Sequence, residues 1–390
     1  MLQQVRRLQL KNKDECKKLV HQYRLQGYTW SQVAALVNKQ TGNDVTERSY
    51  RRLMDEDAVS EQLKDLSECD TTAAFEEELL ALNKERVMIS DYNNQIKSLY
   101  RRMAREDTIR DLGSDAAKEL AKKSPIKFTK NTKISGNKDA ILLLSDWHYG
   151  MEFDIYNNKY STDECKIRVD KLLNEVIDDI TKFNIKTLYV VNLGDLISGR
   201  IHLPLRINSR IDVLTQVLEI CEILSQFLAS LTTYVDIKYC STDDNHSRIE
   251  PLKENSLELE NLTRVIDYFL RERLKDAKIE FISNVVDNSI CTFSVKTFNY
   301  LGVHGHKDKP KNFIEKLSAL TKTHYDAMFS AHLHHFYSNE SSETIHIGNG
   351  SLMGTDDYAF GLRFTSKASQ TLIIVSDNNP CEYIHRIILN

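Results

Sequence analysis

Breakers and staples are scarce in this sequence. Its 390 residues include five prolines, thirteen glycines and two tryptophans. That excludes collagen-like and low-complexity chains, which need proline and glycine in bulk. The seven cysteines, at 16, 69, 165, 221, 240, 291 and 381, are odd in number, widely spaced and without a CxxC pair. This pattern argues against a thiolate zinc site and a disulfide framework, so reduced, mostly buried thiols are expected. No run approaches the roughly 20 apolar residues of a membrane span. The opening stretch, MLQQVRRLQLKNKDECKK, lacks the apolar core of a signal peptide. A cytoplasmic protein with no membrane partner is the expectation.

What is present supports a packed chain of more than one domain. Apolar residues make up 41% and charged residues 28%, and single domains run to about 100–200 residues. The net charge of −4 hides segments of opposite sign. Residues 1–54 hold eleven Lys/Arg against four Asp/Glu. Residues 55–80 hold ten acids and one lysine, and 120–138 hold six lysines and no acid. Each segment therefore has its own partners to seek.

Residues 1–60 read as a basic all-α domain. Cys16, Leu19, Val20 and Tyr23 have helical spacing. Thr29 or Ser31 can cap a second helix, Gly42-Asn43 marks a turn, and Thr46 can cap a third helix with Tyr50 and Leu53. Helix, short turn, basic helix is the outline of a helix-turn-helix, with Arg48, Arg51 and Arg52 set to contact DNA. A small bundle that binds protein has the same outline. Residues 61–138 form an acidic, then heptad-bearing, then lysine-rich linker. Phe75, Leu82, Ile89, Ile96 and Met103 recur every seven residues, which predicts a coiled coil over 75–103 and a homodimer through it.

From residue 139 to 390 the pattern becomes α/β. Short apolar runs at 140–145, 187–192, 234–240, 278–283, 297–304 and 326–332 alternate with amphipathic helices at 163–182, 210–230, 256–275 and 311–322. Two further strands are expected at 371–376 and 383–389. Five runs end in chemically similar residues: Asp146-Trp147-His148, Gly194-Asp195, Asp244-Asn245-His246, His304-Gly305 and His332-Leu333-His334. In α/β sheets, sites form at the carboxyl ends of strands. Eleven of the twelve histidines follow residue 139. Oxygen and imidazole donors without thiolate suit Mn²⁺, Fe, Zn²⁺ or Mg²⁺.

The ordered set D-x-H, G-D, N-H, H and H-x-H resembles the calcineurin-like metallophosphoesterase superfamily over roughly residues 139–350. The NHSR stretch and the NGSLMGTDDYAFGLRF run are similar to its phage and prophage branch. The resemblance implies a sandwich of two sheets flanked by helices and two divalent metal ions, Mn²⁺ first among them. It implies that Asp146, His148 and His334 hold one ion and Asn245, His304 and His332 the other, with Asp195 as the bridge. His246 would face the scissile phosphate. Arg200 and Arg248, just beyond two motifs, would bind phosphate. Two positions depart from the family, which has glycine where this chain has Asp244 and Ala331. His306 and His335 stand in near register with the ligand positions.

The implied reaction is hydrolysis of a phosphate ester by metal-activated water. The basic N-terminal outline, the lysine-rich linker and the phage-like resemblance favour a phosphodiesterase or nuclease on DNA, in a bacterial host cytoplasm. A phosphomonoesterase is the second reading, although GDLISGR at 194–200 lacks the GDxVDRG of protein phosphatases. A DNA-binding phage regulator or assembly factor with secondary hydrolase activity is the third.

Overall fold

A computed structural model of the chain describes residues 12–54, 78–97, 136–201, 209–251, 253–308 and 311–390, with isolated positions between 100 and 124. These residues fall into two compact units, one up to residue 100 and one from residue 101 on.

The first unit contains α1 (Lys13–Leu25), α2 (Trp30–Thr41) and α3 (47–54). Thr29 caps α2: its hydroxyl accepts from the Gln32 amide while the Gln32 side chain accepts from the Thr29 amide. That reciprocal pair satisfies two amides that the first helical turn leaves open. Gly42 ends α2 with a left-handed φ of 65°. Asn38 then fixes the turn, donating to the Val45 carbonyl at 2.8 Å and accepting from the Tyr50 hydroxyl at 2.7 Å. Cys16, Val20, Val33, Ala34, Val37, Tyr50 and Leu53 close a small core. Arg48, Arg51 and Arg52 are exposed. Arg51 is also engaged at home, 3.1 Å from Glu47 and stacked over Trp30.

Helix α4 (78–97) is solvent-exposed along nearly its whole length. Leu82, Val87, Met88, Ile89 and Tyr92 each leave 56–70% of their surface uncovered. Heptad positions Phe75 and Met103, the acidic segment 55–77 and the lysine-rich stretch 125–135 lie outside the described residues.

The second unit is the two-sheet α/β sandwich that the resemblance implies. Its strands are β1 (Lys138–Leu144), β2 (Phe153–Ile155), β3 (Asn158–Tyr160), β4 (Ile185–Asn192), β5 (Asp236–Ser241), β6 (Ile279–Phe281) and β7 (Ile290–Val295). Next come β8 (Phe298–Val303), β9 (Ala327–Ser330), β10 (Tyr337–Ser341), β11 (Thr344–Gly348), β12 (Ser369–Val375) and β13 (Tyr383–Ile388). Its helices are α5 (Thr162–Phe183), α6 (Val213–Leu231), α7 (Thr263–Arg273), α8 (Phe313–Thr321) and α9 (Asp357–Gly361). One sheet has the order β13-β12-β1-β4-β5-β6, and the other β10-β11-β9-β8-β7. Strands β1, β4, β5 and β6 are parallel, as are β8, β9 and β11.

The two-residue period of a strand sorts side chains into layers. In β1 every residue from Ala140 to Leu144 is fully buried. Ala140, Leu142 and Leu144 join the core under α5, α6 and α7, whereas Ile141 and Leu143 join the core between the sheets. This is why β1 reads as an unbroken apolar run. On the far side of the second sheet, Leu301, Val303 and Met328 pack on Phe313, Ile314 and Leu317 of α8. Helix α6 is long and apolar enough to cross a membrane, and its apolar residues pack in the core between α5 and α7. Removing one such side chain, for example by Leu142→Ala, should cost about 2–5 kcal/mol.

Two expectations need correction. The helix read at 256–275 begins only at Thr263. Its first residues are drawn into pairing with the motif loop instead: the Leu262 amide donates to the Ser247 carbonyl, and the Ile249 amide to the Glu260 carbonyl. The cysteines are not all reduced either. Cys240 of β5 and Cys291 of β7 form a disulfide between the sheets, while Cys16, Cys165, Cys221 and Cys381 lie outside any disulfide.

Candidate metal centre

Each candidate ligand follows a strand that ends on the same rim. Asp146 and His148 follow β1, Asp195 follows β4, and Asn245 and His246 follow β5. His304 follows β8, and His332 and His334 follow β9. Parallel pairing within each sheet aligns these ends. The loops are then tied together by backbone. The Asp146 amide donates to the Gly194 carbonyl and the His148 amide to the Asp195 carbonyl, each at 3.0 Å. Asp146, His148, Asp195, His332 and His334 all have left-handed φ, between 47° and 68°. Such backbone costs a non-glycine residue of order 1–3 kcal/mol and concentrates at functional sites.

The side chains converge into two groups that share one carboxylate. Asp146, His148, Asp195 and His334 form the first; Asp195, His304 and His332 form the second, with ligand atoms inside each group within 4.8 Å of one another. His148 Nε2 stands 3.1 Å from His334 Nε2, and His334 Nε2 lies 3.4 Å from Asp146 Oδ1. Asp195 Oδ2 has His304 Nε2 at 3.2 Å, His148 Nε2 at 3.7 Å and His246 Nε2 at 3.8 Å. Asn245 Oδ1 is 3.0 Å from His304 Nε2.

Asp146 Oδ1 and Asp195 Oδ2 are buried and accept no hydrogen bond. Imidazole nitrogens stand beside them at 3.2 to 3.8 Å, and buried carboxylate oxygens that accept no hydrogen bond fit cations. The imidazoles are oriented for the same purpose. His304 places Nδ1 against the Leu193 carbonyl at 2.8 Å, and His246 places Nδ1 against the Ser198 carbonyl at 2.7 Å. In each ring Nε2 is left to face the centre, as a backbone carbonyl behind a ligating histidine does. The carboxylate-imidazole set, without thiolate, fits two divalent ions.

Electrostatics report the same crowding of charge. Burial would raise Asp195, yet His246, His304 and His148 hold it well below the ordinary carboxylate range. Burial would lower His304, but Asp195 and Asp146 lift it to about 10. Burial and neighbouring His246 push His148 well below its usual value. The site is thus balanced for positive charge among its carboxylates.

Other predicted residues make contacts of their own. Arg200 donates from Nε to the Ile249 carbonyl, and Arg248 donates to the carbonyls of Glu250 and Pro251. These contacts brace the loop after His246. His306 is near the second group, its ring 5.4 Å from His304, with an unpartnered buried Nδ1. His335 is exposed. Sequence reasoning missed what Asp244 does in place of glycine. Its carboxylate accepts from the Asp195 amide at 2.9 Å, the Ser247 amide at 2.6 Å, the Ser247 hydroxyl at 2.9 Å and the Thr263 hydroxyl at 3.2 Å. Gly194 makes room for it: a Cβ there would lie 2.5 Å from that of Asp244.

No protein-family model matches the chain. Among solved structures it is similar to an archaeal phosphodiesterase, at 12% identity and a TM-score of 0.33, over 64% of this chain and 99% of that one. It is similar to zinc-bound Vps29 from Entamoeba histolytica, at 11% identity and a TM-score of 0.31, with the same coverage of 64% and 99%. Among curated proteins it is similar to the SPbeta prophage-derived uncharacterized protein YonJ of Bacillus subtilis strain 168. The identity is 26% over 379 residues, 93% of this chain and 92% of the relative.

Proposed function

We propose that the chain is a two-metal phosphodiesterase of the calcineurin-like kind that acts on nucleic acid, with DNA as its substrate. The observation that carries the hydrolytic reading is Asp195, one buried carboxylate common to two groups of metal donors. Asp146, His148 and His334 would hold one ion, and Asn245, His304 and His332 the other. Two divalent ions there, Mn²⁺ or else Fe, Zn²⁺ or Mg²⁺, would activate water and neutralise charge on the phosphoryl group.

The protein's own residues do the rest. Left-handed backbone and the Asp244 clamp fix the ligands before substrate arrives, so little reorganisation is left for the reaction. His246 is held at Nδ1 by Ser198 and presents Nε2 beside Asp195. From there it can donate a proton to the leaving oxygen, a role typically worth about 10²–10⁴-fold. Arg200 and Arg248 hold the loop that carries His246.

The first unit would supply targeting. Its exposed Arg48, Arg51 and Arg52 lie on one short helix, and phosphate contacts from such residues position a protein on DNA. The uncovered apolar side chains of α4 support self-association through 75–103. The similarity to a prophage-derived protein supports a phage origin and action in a bacterial cytoplasm. The test is turnover by Mn²⁺-loaded protein on an aryl phosphodiester, an aryl phosphomonoester, and single- and double-stranded DNA. Hydrolysis of the monoester alone would overturn the diesterase reading.

A further inference from the structure

One loop beside the metal centre displays more aromatic surface than packing explains. Residues 356–365 are closed at their base, where the Ser366 amide donates to the Thr355 hydroxyl and that hydroxyl donates to the Ser366 carbonyl, both at 2.9 Å. Ser366 then fastens the base to the centre: its hydroxyl donates to the carbonyl of His334 at 2.7 Å. Within the loop the chain is ordered by its own bonds. Asp356 caps α9, and the amides of Leu362, Arg363 and Phe364 donate to the carbonyls of Tyr358, Phe360 and Ala359.

This order does not fold the rings inward. Tyr358 is 76% exposed, Phe364 70% and Phe360 41%. Arg363 and Lys367 are exposed on the same stretch. Phe364 is two residues from Ser366, so its Cα lies within about 7 Å of that anchor. Tyr358 is three residues from Thr355, and its Cα lies within about 10 Å of the other side of the base. The loop that carries the rings is therefore rooted at the backbone of His334, a member of the first group of metal donors.

We propose that Tyr358, Phe360 and Phe364 form a stacking platform for the bases of a single-stranded nucleic acid whose backbone phosphate sits at the metal centre. This rests on the phosphodiesterase reading above and names its substrate class. Metal donors recognise phosphate and are blind to what it links. Rigid aromatic faces recognise planar groups without reading their sequence, and each stacked base is worth about 1–3 kcal/mol by alanine substitution. Exposed Arg363 and Lys367, at the Phe364 end of the loop, supply charge of the sign a phosphate backbone attracts, while Asp356 and Asp357 stand at its other end. A duplex keeps its bases inside the stack, so the platform selects unpaired strands or ends.

The test uses the full chain loaded with Mn²⁺ and two DNA oligonucleotides of equal length, one with bases and one abasic throughout. Wild type should hydrolyse the base-bearing strand with a KM roughly tenfold or more below that of the abasic strand. Tyr358→Ala and Phe364→Ala should each shrink that preference by about fivefold or more, with metal content retained. Phe364→Trp should keep the preference, and Phe364→Leu should lose it although it preserves an apolar surface. If the alanine variants keep the full preference, the platform is overturned and the nuclease reading stands. If wild type cleaves neither strand while an aryl diester turns over, the nucleic-acid reading fails and the platform with it.

Discussion

Asp244→Ala is the most informative single change, because the structure sets its cost and the pH dependence of that cost. The substitution orphans two buried amides, of Asp195 and Ser247, and two hydroxyls, of Ser247 and Thr263. At about 2 kcal/mol per amide and about 1 per hydroxyl, the gross loss is about 6 kcal/mol. Against this stands the cost of the charge itself. Burial, and then the Asp195 carboxylate, raise Asp244 from 3.8 to about 6. Forced ionisation near pH 8 therefore costs the fold about 3 kcal/mol. A raised carboxyl contributes stability that is complete below its ordinary pKa and is lost as pH rises through about 6. With metals chelated, the variant should thus be less stable than its parent by about 3 kcal/mol near pH 8 and by more than about 4 near pH 5. Urea unfolding at both pH values measures this. A loss under about 1 kcal/mol at both, or a larger loss at the higher pH, would refute the reasoning.

Asp195→Ala should remove both ions, read by metal analysis of protein purified without chelator; full retention would show that the two groups do not share it. His246→Ala should keep its metals and lose about 10²-fold or more in turnover, whereas His332→Ala should lose metal occupancy. The triple change of Arg48, Arg51 and Arg52 to Ala should weaken duplex binding and flatten its salt dependence by roughly one unit for each DNA phosphate no longer neutralised. Light scattering of the full chain and of a form starting near residue 136 should show the dimer only in the former, and a monomer in both would remove the coiled coil through 75–103.

Much of the sandwich is legible in the sequence because its central strands are buried on both faces, and unbroken apolar runs mark their ends. The candidate ligand positions are legible for the same reason: Asp146, Asp195, Asn245, His304 and His332 each stand just past such a run. Histidine content alone would mislead. His346 is a residue of β11 stacked on Phe313 at 3.9 Å, and burial pushes it down to about 4. Asp244 looks like a lost glycine, since its partners Asp195 and Thr263 lie 49 and 19 residues away. Arg200 and Arg248 also brace the loop after His246, and the carbonyls they hold lie on a path no local pattern reveals. The short strands β2 and β3 are missed because three residues give too little pattern, and β10 because its residues are polar and mostly exposed; β7 and β11 are missed although most of their residues are buried.

The attachment of the Asp146 loop to β12 has a consequence for the order in which the protein is made. The Ser145 amide donates to Gln370 Oε1 at 2.8 Å across a separation of 225 residues, and Gln370 Nε2 donates back to the Ser145 carbonyl. Strand β1, which carries that loop, has β12 as its outer neighbour. During synthesis the first ligand loop therefore emerges long before the strand and side chain that position it. Non-local pairing of this kind forms late, since distant segments must meet before any contact rewards them. A nascent chain that has reached His334 holds all the candidate donors, yet still lacks the strand that positions the first of them. The arrangement of the centre is thus a property of the assembled sandwich, fixed only once β12 has joined β1.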